Sequence, residues 1–489
     1  MKSIARLVAI IRADFLVRFR RASTAIAFLL LSAFAYVWIP APSTGRTLIQ
    51  INGQRAIYNS GALGMGTASL GMMFVGLFGY YVISNSIRRD INSRCGIIAA
   101  STPMRSIEYL FGKFLGNVAF LITFLAGFML SSMAMLLVRG EASLEPWIFF
   151  RQYLWLTPAA IVLVSAVAVL FESVSLLAGK LGDVAYFFLY LLFFGLVVTD
   201  EASGGGIRWA RYFDFTGFGF MIHQMQHSLH TNSVSIGSSP FDPTKPALIF
   251  PGVSMTREWI APRIVSTLLP LLLLPVAALL FHRFDPVRIG PTTGKTNRKW
   301  IGKVQSLSKP LTRRVVALLL VPARNGSFLA AIWSDAVLTF TLFPLAFLAF
   351  IGVTVTTLFA PVAAALPIVF AALAIIVSDV ATRDLRAGTI ASLYAVPRLR
   401  ERYVWWKFGS ALVISVIFCA MPIAVTAGAG LKRLTALFFG IIFIASIATL
   451  LAILTSNPKA FIVGFLSFWY IIVNDRGATP LLDFAGFYG

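Results

Sequence analysis

The residues best suited to polar chemistry lie in two charged passages. RRDINSRCGIIAASTPMRSIEYLFGK runs from Arg88 to Lys113, and TRDLRAGTIASLYAVPRLRERYVWWK from Thr382 to Lys407. In each, an Arg-Asp pair ending at Asp90 or Asp384 is followed thirteen residues later by Pro103 or Pro397, and ten residues after that by Lys113 or Lys407. A carboxylate among basic residues on a short loop makes ion pairs and charge-assisted hydrogen bonds, the chemistry of docking rather than of bond cleavage. Gly96 and Gly388 permit tight local geometry. Pro103 and Pro397 suit the first turn of the following helix. Arg105, Arg398 and Arg400 are placed to face lipid headgroups, and Lys113 and Lys407 to snorkel to a membrane edge.

Other polar clusters carry less. His223, His227 and His230 share one helical face in HQMQHSLH, but no cysteine or second cluster completes a metal set, so surface histidines are expected. GPTTGKT at Gly290–Thr296 has three residues between its first Gly and the Gly-Lys-Thr where a phosphate-binding loop has four, and it sits in a polar linker. ATP hydrolysis is therefore not expected of this chain, and neither is a bound cofactor. No gathering of His, Asp, Glu, Ser or Cys at one end points to an enzyme. Cys95 and Cys419 imply no disulfide.

The elements that must position the charged passages are apolar. Of 489 residues, 58% are hydrophobic and 12% charged, and mean hydropathy is +0.83. An ordinary soluble domain is about 25% charged. The composition reads as an all-α, polytopic membrane protein. Its formal charge of +22 fits loops on the cytoplasmic face and anionic headgroups better than nucleic acid, for which no aromatic-basic interleave is present.

An amphipathic interfacial helix opens the chain. Spans follow near Thr24–Trp38, Ala62–Ser84, Leu115–Leu137, Leu156–Phe171, VAYFFLYLLFFGLVV and Ile264–Phe281. The polar stretch Thr199–Trp259 precedes the sixth. After the linker, spans are expected near Leu342–Thr357, Pro361–Val377, Phe408–Val425, Leu434–Leu454 and Phe461–Val473. The expected organisation is a first membrane half at 1–284, a basic cytoplasmic linker at 285–324, and a second half at 325–489 that stops short of a sixth span. With the N-terminus cytoplasmic, 29 of the 41 basic residues fall inside and 12 outside. Glu172, Asp200 and Asp475 lie at span ends. The lack of charge in mid-span weighs against an ion-coupled carrier.

The two halves repeat each other. Asp14 matches Asp335 at an offset of 321. Asp90, Pro103 and Lys113 match their partners at 294. DFTGFG from Asp214 matches DFAGFY from Asp483 at 269. Six spans in the first half, an even number, place both copies in the same orientation, related by an axis along the membrane normal.

On these residues the chain resembles the permease subunits of ABC-2 type ATP-binding-cassette transporters. They have an interfacial elbow helix, six spans, and a cytoplasmic coupling helix between spans two and three with an acidic residue, a Gly and x-x-P-x-R. Here the corresponding residues are Asp90, Gly96 and STPMR, then Asp384, Gly388 and AVPRL. The resemblance implies an inner (plasma) membrane protein, two permease-like halves in one chain, coupled to separate cytoplasmic ATPase subunits that hold ATP and magnesium. It implies an exporter more often than an importer, with lipids and a second permease chain as further partners. The ATPase-coupling residues would be Asp90, Gly96, Pro103, Arg105, Asp384, Gly388, Pro397 and Arg398. The alternatives are a non-transporting membrane anchor and a secondary transporter.

Overall fold

A computed structural model describes residues 2–175, 177–202, 208–229, 234–282, 284, 319–342, 344–396 and 398–488. The chain divides into two compact units, Met1–Gly290 and Pro291–Gly489. The division falls in the expected linker, of which 285–318, with the Gly-Lys-Thr stretch, lies outside the described residues.

Among the described residues, each expected apolar span falls mainly on helix, because backbone withdrawn from water must satisfy its N–H and C=O groups internally. In the first unit α1 (Lys2–Phe19) and α2 (Ala22–Trp38) meet at a 76° bend. Next, α3 (Ser60–Phe74) runs through a π-helical stretch, Val75–Gly79, into α4 (Tyr80–Ile83). The charged passage folds as two short helices, α5 (Ser86–Asn92) and α6 (Cys95–Ser101), before the 34-residue α7 (Ser106–Arg139). A 42° bend separates α8 (Pro146–Leu156) from α9 (Pro158–Ser173), where Pro158 supplies no N–H to continue the ladder. Then come α10 (Lys180–Ala202), α11 (Phe218–Leu229), α12 (Arg257–Leu268) and α13 (Leu273–Leu280).

The second unit contains α14 (Phe328–Leu342), α15 (Pro344–Phe359) and α16 (Val362–Val377). Its charged passage forms α17 (Arg383–Ala387) and α18 (Ile390–Tyr394). It ends with α19 (Leu399–Phe418), α20 (Ala420–Ala429), α21 (Leu431–Thr455) and α22 (Pro458–Asp475).

Among the described residues, six helical segments are long and apolar enough to cross a membrane, and up to nine if each of three bent pairs is one crossing. The chain is a helical, multi-pass membrane protein. Of the eleven expected spans, the other two fall on α15 and on α22, an 18-residue helix that includes Lys459 and Asp475.

One element departs from an all-α chain. At the end of the first unit away from the charged passage, β1 (Arg46–Ile51) pairs antiparallel with both β2 (Gln54–Arg55) and β3 (Val234–Pro240). The turn between β1 and β2 is Asn52-Gly53, both at positive φ (50° and 84°), the conformation a tight hairpin demands. That Asn-Gly pair was the available signal in the sequence. A bidentate ion pair anchors the sheet: Arg55 Nη1 and Nη2 lie 2.5 and 2.7 Å from the Glu141 carboxylate oxygens. Glu141 also accepts from the Tyr58 N–H at 3.2 Å.

Small residues let α3 bury nearly its whole circumference. Gly76, in the π-helical stretch that continues α3, shows why bulk is excluded. A Cβ there would lie 2.1 Å from the Tyr190 ring, and the Gly76 carbonyl accepts the Tyr186 hydroxyl. The charged passage of the first unit rests on Ile87, Met104, Tyr109, Leu110, Phe114 and neighbouring apolar residues of α9 and α13. In the second unit the core gathers around Phe370, Ile414, Phe418, Ile441, Phe461 and Phe465.

Candidate functional site: a lysine node built twice

Lys113 lies on the third turn of α7, buried at 4% exposure. Its Nζ is 3.1 Å from Asp14 Oδ1 on α1 and 2.8 Å from Asp90 Oδ2 on α5. In the second unit Lys407, fully buried on α19, lies 2.9 Å from Asp335 Oδ2 on α14 and 2.7 Å from Asp384 Oδ2 on α17. Each ammonium therefore ties three elements together: the entering helix, the first helix of the charged passage, and the long helix after it.

A tyrosine four residues before each lysine completes the node. Residues i and i+4 share a helical face, so both side chains reach the same carboxylate. Tyr109 donates its hydroxyl to Asp90 Oδ2 at 2.6 Å, and Tyr403 donates to Asp384 Oδ2 at 3.1 Å. An arginine precedes each of these aspartates and faces the other one. Arg89 Nη2 is 3.8 Å from Asp14 Oδ1, and Arg383 Nη1 is 3.3 Å from Asp335 Oδ1. A buried lysine of this kind loses the solvation of its charge. Two carboxylates offset that loss only while the geometry holds, so the node fixes position more than it adds stability.

Asp14, Asp90 and Lys113 align the two repeats in the sequence, but their spacing does not show that the three side chains meet. Neither lysine snorkels: each ammonium is enclosed, because two aspartates from other elements converge on it. Asp90 and Asp384 direct their carboxylates inward to Lys and Tyr. The tyrosines were missed, although Tyr109 and Tyr403 also repeat at 294, in EYLFGK and RYVWWK.

The turn geometry also differs from expectation. Gly388 is left-handed, with φ of 73°, and closes α17: the Thr389 N–H reaches back to the Asp384 carbonyl at 3.0 Å. Its counterpart is Arg94, not Gly96. Arg94 has φ of 60° and stands at the start of α6. Gly96 lies inside α6, where a Cβ would meet the Phe284 ring at 2.4 Å, so this glycine serves packing. Pro103 does not open the next helix. α7 begins at Ser106, with Glu108 accepting from the Arg105 N–H at 3.3 Å, while the Pro103 carbonyl accepts from Arg6 Nη1 at 2.9 Å. Pro397 lies outside the described residues, and α19 starts at Leu399. Arg105, Arg398 and Arg400 are exposed.

What the passages present outward is partly apolar. On α6, Ile97 and Ile98 are 61% and 68% exposed. In the second unit Leu385, Tyr394 and Val396 are exposed. Glu172 caps α5, accepting from the N–H groups of Ser86 and Ile87 at 3.1 and 2.6 Å.

The third repeated motif is a turn held by its aspartate. Asp214 Oδ2 accepts from the Phe220 N–H at 2.9 Å, and Asp483 accepts from the N–H groups of Phe487 and Tyr488 at 2.6 and 3.0 Å. Gly217 and Gly486, 269 residues apart, are left-handed in both copies (φ 73° and 66°). Buried Arg263 adds to the first copy. It donates to the Asp214 carbonyl at 2.6 Å and to the Trp155 and Leu156 carbonyls at the α8–α9 bend.

His223 sits against Trp259, with ring centroids 5.5 Å apart, and 6.2 Å from His227, while His230 lies outside the described residues. Among the described residues no three His, Cys, Asp or Glu side chains gather as metal ligands. No protein-family model, curated protein or solved structure matches the chain, so the duplicated node stands as the principal guide to its function.

Proposed function

We propose that this chain is the membrane-spanning subunit of an ATP-driven exporter of the ABC-2 permease type, and that separate cytoplasmic ATPase subunits dock on its two charged passages. The observation that carries this reading is the lysine node present in both units. A loop that receives force from a partner must be stiffly joined to the helices it moves, and each node joins the loop to two of them. Exposed Ile97 and Ile98 in one copy, and Leu385, Tyr394 and Val396 in the other, supply apolar contact beside the arginines. Asp90 and Asp384 act as positioning residues, while Arg94, Arg105 and Arg398 meet the partner.

The test is purification of the tagged chain from its native membrane, with vanadate-sensitive ATP hydrolysis measured in the eluate. Hydrolysis should accompany the wild type and fall about tenfold or more when Ile98→Glu and Val396→Glu are combined, since a charge in an apolar contact is unpaired there. Asp90→Ala with Asp384→Ala should retain the ATPase but weaken its coupling to transport in reconstituted vesicles. Wild-type chain that carries no ATPase, or that drives gradient-dependent transport alone, would remove the proposal.

A further inference from the structure

The bend between α1 and α2 holds more positive charge than the node uses. Arg18 lies one turn after Asp14 and is 3% exposed. Its Nη2 is 2.7 Å from Asp14 Oδ2, but not aligned for a hydrogen bond, and its Nε and Nη1 donate to no group among the described residues. Asp14 cannot balance it alone, because Lys113 and Arg89 draw on the same carboxylate. Arg21, at the bend, is close enough to Arg89 for the two charges to repel, and Arg18 feels both. Glu172 attracts Arg18, but its oxygens are engaged by α5.

The second unit lacks this surplus. At the shared offset of 321, Thr339 stands where Arg18 stands and Leu342 where Arg21 stands. Arg383, the counterpart of Arg89, donates to the Thr339 hydroxyl at 3.0 Å. A buried guanidinium with unspent donors, two more guanidinium groups beside it, and an equivalent position with a single, paired guanidinium together describe an anion site built into one half only.

We infer that the first unit binds the phosphate of an anionic lipid headgroup between the last turn of α1 and α5, with Arg18, Arg21 and Arg89 as its donors. Guanidinium forks match phosphate oxygens in pairs, which selects phosphate over halide. The surroundings select a lipid source. Val17 and Phe19 are about half exposed beside the arginines, and Ile26, Leu29 and Leu30 form an exposed apolar track along α2 on which acyl chains can lie. Inorganic phosphate offers the same oxygens without that track.

The experiment uses the full chain, delipidated in neutral detergent, and follows thermal unfolding with dioctanoyl phosphatidylglycerol, dioctanoyl phosphatidylcholine or inorganic phosphate. Phosphatidylglycerol should raise Tm by on the order of 5 °C. Arg18→Gln should abolish most of the shift. Exposed Arg21→Gln should also abolish most of it while leaving the lipid-free Tm in place, which covers the case in which Arg18→Gln fails to fold. Arg433→Gln in the second unit should keep the full shift. Equal stabilisation by inorganic phosphate, lost in Arg21→Gln, would retain the phosphate site and overturn its lipid occupant. An equal shift with phosphatidylcholine, no shift at all, or one that Arg21→Gln leaves intact would overturn the site.

Discussion

Arg94 and Gly388 stand 294 positions apart and share one left-handed backbone conformation, with φ of 60° and 73°. In the second unit the residue suits the geometry, and in the first it does not. An L side chain in that region costs roughly 1–2 kcal/mol, partly offset by the entropy that glycine loses on folding. Arg94→Gly should therefore leave stability unchanged or raise it by up to about 1 kcal/mol. Gly388→Val should cost about 1–2 kcal/mol, from the backbone alone, since a Cβ there meets nothing within 4 Å. Thermal unfolding of the two variants in detergent checks both signs. A destabilised Arg94→Gly would mean that the arginine side chain outweighs the strain.

Lys407→Met should destabilise the second unit by about 3–5 kcal/mol, because it leaves buried Asp335 and partly buried Asp384 without their shared cation. Adding Asp335→Asn and Asp384→Asn should recover much of that loss. The matched changes at Lys113 should recover less, since Arg18 and Arg89 would both lose Asp14, leaving Arg18 only the attraction of Glu172. Denaturation of the single and triple variants separates charge from shape: equal losses in both would place the cost in packing.

Glu141 answers to pH. Its hydrogen bonds with Arg55, and secondarily with the Tyr58 N–H, hold its carboxyl below the ordinary value of 4.5. A group whose pKa falls on folding contributes above its unfolded value, and the contribution is lost as pH falls through the folded one. The sheet should thus stay anchored at neutral pH and loosen only below about pH 4.5. Amide exchange at Leu48–Gln50 is the measurement. Glu141→Gln should show fast exchange already at pH 7, and a wild type indifferent down to pH 3 would disconnect the ion pair from the sheet.

The native thiols report orientation. Cys95 is exposed at the start of α6, whereas Cys419 is buried. With the charged passages cytoplasmic, an impermeant maleimide should spare Cys95 in intact cells and label it after permeabilisation. Thr244→Cys, on an exposed turn at the sheet, should label in intact cells. The reverse pattern would place the node on the outer face and end the coupling proposal.

Helix content and the matched charged positions were legible because hydropathy and residue spacing are local facts. The Asp14–Lys113–Asp90 node was not, although all three residues had been aligned. A lysine near the end of an apolar run carries the same hydropathy whether it snorkels or is enclosed, and only the approach of α1 and α5 decides. The expected Gly96 turn failed for a related reason: conformational freedom was read from residue type, while the chain put Arg94 in the left-handed position and used Gly96 to admit Phe284. The hairpin was legible in Asn52-Gly53, but the surrounding apolar spans drew the reading towards helix alone.

The long helix α7 is fastened to the α1–α2 arm at both ends. Lys113 meets Asp14 near its start, and at its finish Arg139 donates to the carbonyls of Tyr36 and Ile39 at the far end of α2. Between them Phe28 packs edge-on to Phe124, 5.7 Å between centroids, and a Cβ on Gly127 would strike the same Phe28 ring at 2.3 Å. Such a member behaves as a strut of about 50 Å clamped at two points: it can tilt as a whole but cannot slide along its neighbour. If the charged passage is pushed, as the proposed coupling requires, α7 is the element that carries the displacement towards the opposite end of the unit. Any yielding falls to the π-helical stretch at Val75–Gly79 and the bend before Pro158, where the helical ladder is already interrupted.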